Sequence, residues 1–216
     1  MPFKSFYLLI YYCLQFLGWT AFFFIFTFGL IKSKSVSQIY DETYNILVII
    51  QYASSAEIFH CFYKLVKSIL CIVMVENLGR IVIVATLQNF KESTSKGYKL
   101  IYLGWSIIEI IRHLYDILDL IRIEKKNFKI PYILKWCRYS LFVILYPIGA
   151  IGEFTIVWDA REYFENNNLL GIPLCIFLYP LFLIYFISLI YLYQYLFKVR
   201  RQHLKRVKPE VVAKKE

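Results

Sequence analysis

Two stretches of this chain carry no charged residue: 27 residues from Ser5 to Ile31 and 29 from Leu169 to Phe197. A helix needs about 20 mostly apolar residues to cross a bilayer, so each stretch is long enough to span. The composition agrees. Of the 216 residues, 59% are hydrophobic and 19% aromatic, against about 45–50% apolar in a soluble domain. One core of this size could not hide so much Phe, Tyr, Ile and Leu. A soluble enzyme and a disordered chain are both excluded.

Six hydrophobic segments follow along the chain, roughly Phe6–Ile31, Tyr44–Tyr63, Val66–Phe90, Tyr98–Ile121, Tyr132–Trp158 and Leu169–Phe197, joined by short polar linkers. The expected fold is an all-α membrane protein, a single bundle of about six transmembrane helices. Residues 1–197 form the spanning domain and 198–216 a basic tail. The first segment is too long for a signal-peptide core, and no A-x-A-like site follows it, so it is expected to stay as the first span. The net charge of +10 resembles that of a nucleic-acid binder, but its distribution points elsewhere, and no nucleic-acid partner is expected. Eight basic residues fall in the last 19 positions, where a cytosolic tail would face anionic lipid. With six spans, sixteen Lys and Arg lie on the side of both termini and six on the other, which predicts cytosolic termini. Lys214-Lys215-Glu216 nearly matches a dilysine retrieval signal, with the second lysine misplaced. The five cysteines (Cys13, Cys61, Cys71, Cys137 and Cys175) sit in hydrophobic segments without a C-x-x-C pair, so neither a disulfide framework nor a zinc site is indicated.

The first and last segments are clean, as suits peripheral, lipid-facing helices. The middle four are not. They carry Gln51, Glu57 and His60; Glu76, Asn77 and Arg80; Glu109, Arg112 and His113; and Arg138, Tyr146 and Glu153. Ionisable residues at mid-membrane cost about 2.5–3.5 kcal/mol on insertion scales and therefore face the bundle interior. Glu57 with His60, and Glu109 with Arg112 and His113, are three or four apart and share a helical face. The simplest reading of both sets is structural pairing between helices. A di-metal carboxylate centre would want two E-x-x-H pairs, and Glu57 to His60 is the only one, so no metal or other cofactor is expected.

Tyr146 and Glu153 are different. They lie seven apart, two turns along one face and about 10 Å in rise, with Pro147, Gly149 and Gly152 between them. Pro147 frees a backbone carbonyl, and the glycines remove bulk. That leaves either a kinked, closely packed helix or room for a flat acyl thioester beside a Tyr–Glu pair. Two titratable groups in an apolar cavity are the equipment of paired acid/base work. Taking a proton next to a carbonyl while protonating a departing hydroxyl needs two such groups and no cofactor. That reaction is a β-elimination of water.

The run from Trp136 through Arg138 and Tyr139 to Leu145-Tyr146-Pro147, Gly149 and Glu153 resembles the W-x-R-Y and L-Y-P-x-G-x-x-x-E signature of the membrane very-long-chain (3R)-3-hydroxyacyl-CoA dehydratases, a family also called protein-tyrosine-phosphatase-like. Gln51, Ala53, Glu57 and His60 are similar to its Q-x-A-x-x-x-E-x-x-H run, and Glu109 to Arg112 to its E-I-I-R run. The resemblance implies that Tyr146 and Glu153 are the catalytic pair. Arg138, Gly149, Arg80, Glu109, Arg112, Glu57 and His60 would bind substrate or support the pair. It implies dehydration of long-chain 3-hydroxyacyl-CoA to trans-2-enoyl-CoA, the third step of very-long-chain fatty acid elongation. That work would be done in the endoplasmic reticulum membrane, among lipid and beside the other elongation enzymes. Which residue is acid and which is base stays open; Glu153 as acid, with Tyr146 taking or relaying the C2 proton, is the favoured assignment. His113, Lys64 and Gly79 depart from the family pattern.

A cysteine phosphatase needs C-x5-R. Six positions after the five cysteines stand Trp19, Lys67, Asn77, Val143 and Leu181, so phosphatase activity is not expected. A non-catalytic scaffold of the elongation complex is the main alternative, and a small transporter the third.

Overall fold

Residues 3–66, 68–89, 95–125, 128–169 and 172–205 are described by a computed structural model. Among them are nine helices: α1 (Phe3–Ile31), α2 (Val36–Ser54), α3 (Ala56–Phe62), α4 (Leu70–Asn89), α5 (Ser95–Glu124), α6 (Tyr132–Ser140), α7 (Phe142–Asp159), α8 (Arg161–Asn166) and α9 (Leu174–Lys205). A two-residue antiparallel ladder pairs β1 (Asn168–Leu169) with β2 (Ile172–Pro173) ahead of α9. Four of the helices, α1, α4, α7 and α9, are long and apolar enough to cross a membrane. The chain is an all-helical membrane protein. Residues 206–216, which include the dilysine-like ending, lie outside the described residues.

α5 is the central helix. It packs along α1 on one side and α7 on the other, while α4 sits against α2, α3, α7 and α9. The charges of α5 keep it from reading as an apolar span, yet Ser106, Glu109 and His113 are all buried. Large apolar residues face outward instead, among them Leu14, Leu17 and Phe24 on α1, Ile144 and Ile151 on α7, and Leu183, Ile187 and Ile190 on α9. Polar residues inside and apolar residues outside is the pattern of a bundle whose solvent is lipid.

Local chemistry sets the boundaries. α2 begins eight residues ahead of the expected Tyr44 because Ser35 and Gln38 form a capping box at its start. α1 and α3 both end in left-handed residues, Ser33 and Lys64, each with φ 54°. At α3, Leu65 N donates to His60 O at 2.7 Å and Lys64 N to Cys61 O at 3.0 Å, the hydrogen-bond pair of a Schellman cap. The fifth hydrophobic segment becomes two helices, breaking at Leu141. Pro147 has no N–H for the Val143 carbonyl, and the Tyr193 hydroxyl from α9 donates to that carbonyl at 2.8 Å. α8 forms inside the expected loop before β1, and α9 runs past Phe197 to Lys205.

The glycines of α7 face α5. A Cβ on Gly104 would lie 2.8 Å from the Gly149 Cα, and one on Gly152 would lie 2.8 Å from the Leu100 Cβ and 2.9 Å from the Ile101 N. Small residues at such crossings let backbones approach closely. Close helix packing therefore accounts for Gly152, while Gly149 also borders the cleft described next.

Candidate active site

α7 presents Tyr146 and Glu153 to one narrow cleft between α4, α5, α7 and α9. Glu76 and Arg80 enter it from α4, Trp105 from α5 and Tyr185 from α9. Glu153 is 4% exposed, Trp105 3% and Tyr185 7%, so the carboxyl has almost no water to solvate it. Two neutral donors serve it instead. Trp105 Nε1 donates to Oε1 at 2.8 Å, and the Tyr185 hydroxyl donates to Oε2 at 2.6 Å. Tyr146 has the opposite polarity. Its hydroxyl donates to Glu76 Oε1 at 3.2 Å, an oxygen that also accepts from Arg80 at 3.0 Å. The Arg80 guanidinium lies 5.1 Å from the Trp105 ring centroid, which keeps a fixed cation close to both Tyr146 and Glu153.

Behind Arg80 runs a chain of charges, in which Glu109 is buried and Arg112 and Glu57 are half-buried. Arg80 pairs with Glu109, whose other oxygen is 2.7 Å from Arg112. Arg112 also reaches Glu57 at 2.7 Å, and Tyr11 donates to Glu57 at 3.3 Å. His113 Nε2 lies 3.4 Å from Glu109 Oε2. His60 Nε2 and the Tyr7 hydroxyl are 2.8 Å apart. The network ties α1, α3, α4 and α5 together, the structural pairing expected from the residue spacing.

The narrow cleft meets a wider one, with Glu76, Ile108, Tyr146 and Leu192 common to both. The wider cleft is bordered by Glu57 and Arg112 at one end and by Arg138, Tyr139 and His203 toward the end of α9. The rings of Tyr139 and His203 stack at 4.4 Å, and the buried Nε of Arg138 has no hydrogen-bond partner among the described residues. Between α4 and α9 lie two apolar clefts, where Val75 and Tyr185 are common to both. Among the described residues, no three His, Cys, Asp or Glu side chains cluster as a metal site.

The family model for protein tyrosine phosphatase-like protein, PTPLA, matches residues 51–206. The chain belongs to the PTPLA family. It is 29% identical over 179 residues to very-long-chain (3R)-3-hydroxyacyl-CoA dehydratase 2 of Mus musculus, covering 80% of this chain and 66% of that protein. It is 29% identical over 170 residues to the dehydratase hpo-8 of Caenorhabditis elegans, covering 78% and 76%. It is 31% identical over 154 residues to the "probable very-long-chain (3R)-3-hydroxyacyl-CoA dehydratase" of Schizosaccharomyces pombe, covering 68% and 71%. The chain thus spans just under two thirds of the mouse relative's length. No solved structure matches it.

The PTPLA match bears out the resemblance seen in the W-x-R-Y and L-Y-P runs. The structure gathers Tyr146, Glu153, Arg80 and Gly149 around the narrow cleft, and Glu57, Arg112 and Arg138 around the wide one. Glu109 and His60 border neither; they lie behind, pairing with Arg80 and Tyr7. Gln51 also borders neither, and both its side-chain polar atoms are buried without partners among the described residues. Sequence reasoning missed three neighbours. Glu76 reads from the sequence only as a polar interruption of its segment. Trp105 and Tyr185 gave no signal, because one tryptophan among 4 and one tyrosine among 19 look like membrane bulk. The clean outer helices are not inert either: α1 supplies Tyr7 and Tyr11, and α9 supplies Tyr185 and Tyr193.

Proposed function

We propose that this PTPLA-family chain is a hydro-lyase that converts long-chain 3-hydroxyacyl-CoA to trans-2-enoyl-CoA, the third step of very-long-chain fatty acid elongation. One observation carries the reading: Tyr146 and Glu153 share a narrow cleft in which Glu153 accepts two hydrogen bonds and Tyr146 donates one. A carboxyl accepting on both oxygens is arranged as a base, and a donating phenol as an acid. These directions support the reverse of the assignment favoured from sequence.

In this scheme Glu153 takes a proton from C2, and the C–H electron pair becomes the C2–C3 double bond. The C3–O bond breaks, and the Tyr146 proton joins the departing hydroxyl to form water. The phenolate left behind faces Arg80, and the proton held by Glu153 returns to Tyr146 through the water molecule just formed. No cofactor is consumed. The thioester's phosphate-bearing head would extend along the wide cleft toward Arg138, and the acyl chain along the apolar clefts between α4 and α9.

The wider reading follows from the same features. α2 with α3, and α5, would complete six spans alongside the four apolar helices, since their charges turn inward to the network. The Lys and Arg bias would set both termini in the cytosol, with residues 198–216 as a basic tail. The endoplasmic reticulum membrane and the other elongation enzymes are the proposed setting and partners.

The test is dehydration by purified protein in lipid, read as enoyl-CoA formed. Tyr146→Phe and Glu153→Gln should each lower turnover by about 10²–10⁴-fold while the protein still accumulates. Retained turnover in both variants would sink the assignment, and no turnover by the unaltered chain would sink the activity.

A further inference from the structure

The reaction scheme uses Glu153 and Tyr146 but leaves one close group unexplained. Tyr185 comes from α9, a helix whose outer face is among the most exposed and apolar in the molecule. Yet its hydroxyl turns inward and makes a 2.6 Å hydrogen bond to Glu153 Oε2. Its ring reaches that place because residue 79 is glycine. A Cβ there would overlap the Tyr185 ring, with Cδ2 only 2.8 Å away. The side chain also stands where the narrow cleft meets both apolar clefts between α4 and α9.

The groups facing Glu153 are few. α4 brings Arg80 and Glu76, α5 brings Trp105, α9 brings Tyr185, and α7 itself brings Tyr146. Arg80 makes its ion pairs with Glu76 and Glu109 rather than with Glu153. Among the described residues, the hydrogen bonds to the Glu153 carboxyl come from the Trp105 N–H and the Tyr185 O–H. An indole N–H can only donate, which fixes Oε1 as an acceptor. With Oε1 so occupied, a donating Tyr185 makes the carboxyl an acceptor on both oxygens. Donors favour the charged form of a carboxyl, and in a dry site they replace the water that would otherwise solvate it.

We infer that Tyr185 is a positioning residue which, together with Trp105, holds Glu153 ionised and aimed into the cleft, and that Gly79 is the vacancy that admits its ring. This rests on the dehydratase reading for its kinetic consequence, but not for its structural one.

Two readouts on purified full chain in lipid separate them. The first is kinetic. Tyr185→Phe keeps the ring on Gly79 and removes only the hydroxyl, so kcat should fall about 10–100-fold, the scale for losing a supporting partner. KM should stay within about twofold, because Tyr185 acts through Glu153 rather than through bulk binding. Trp105→Phe should act in the same direction, and Gly79→Ala, which pushes the ring aside, should mimic Tyr185→Phe. The second readout is infrared absorption of the protonated carboxyl, with Glu153→Gln as the reference. At neutral pH the unaltered chain should show no protonated signal from Glu153, while Tyr185→Phe should acquire one. Should Tyr185→Phe fail to accumulate, Gly79→Ala carries the same infrared comparison. A protonated Glu153 in the unaltered chain would overturn the inference. So would a Tyr185→Phe spectrum like the unaltered one, whatever happens to kcat. A chain that shows the infrared change but never dehydrates the thioester would leave the Tyr185 assignment standing and remove the proposed activity.

Discussion

The bundle turns four carboxyls inward, three from α3, α4 and α5 and one from α7, and the two sets are served by opposite chemistry. Glu57, Glu76 and Glu109 are each paired with an arginine, Arg112 or Arg80. Glu153 is held by an indole and a phenol, both neutral. A carboxylate locked to a guanidinium is spent on structure, because taking up a proton would break the pair. One held by neutral donors is anchored without being neutralised, so it can still exchange a proton with a substrate. The comparison explains why several helices carry inward charge while the proposed chemistry rests on one carboxyl and one phenol.

The largest effect that could break this contrast lies in the network. Glu109→Leu leaves Arg80 and Arg112 without the carboxylate between them. Removing one partner of a buried pair costs about 3–5 kcal/mol, so the variant should unfold at much lower denaturant or fail to accumulate. A Glu109→Leu protein as stable as the unaltered chain would show that the pairs are not structural. Tyr193→Phe comes next. It strands the Val143 carbonyl freed by Pro147, and an unsatisfied buried acceptor costs about 1–3 kcal/mol. Thermal unfolding in lipid should show that loss without a change in KM. The smallest effect belongs to Arg138, whose Nε is buried at the wide cleft and unpartnered among the described residues. Arg138→Gln should raise KM for a CoA thioester about tenfold, or about 1.4 kcal/mol. KM for the matching pantetheine thioester, which lacks the phosphates, should stay unchanged. Equal changes for both would move the phosphate site elsewhere.

Much of this organisation was legible in the residues. The charge-free runs announced α1 and α9, and the i, i+3 and i, i+4 spacing of Glu57, His60, Glu109, Arg112 and His113 announced an inward polar face. The seven-residue interval between Tyr146 and Glu153 put both on one side of α7, where the structure has them bordering one cleft. What stayed hidden depended on contacts between helices distant in sequence. Tyr185 lies 32 residues from Glu153 and Trp105 lies 48, and neither type stands out in a chain so rich in aromatics. The capping box at Ser35 and the break at Leu141 were local, but they lay outside the hydropathy pattern that set the segment limits.

The catalytic pairing of Tyr146 and Glu153 is tested most directly by a double-mutant comparison. Turnover of 3-hydroxyacyl-CoA would be measured for Tyr146→Phe, Glu153→Gln and the two combined, alongside substrate affinity. Residues that act as a unit are strongly non-additive. Each single variant should therefore lose nearly all of the rate, the double should be little worse, and affinity should hold within a few-fold. Two modest losses that simply multiply in the double variant, or full turnover in either single one, would contradict the pairing.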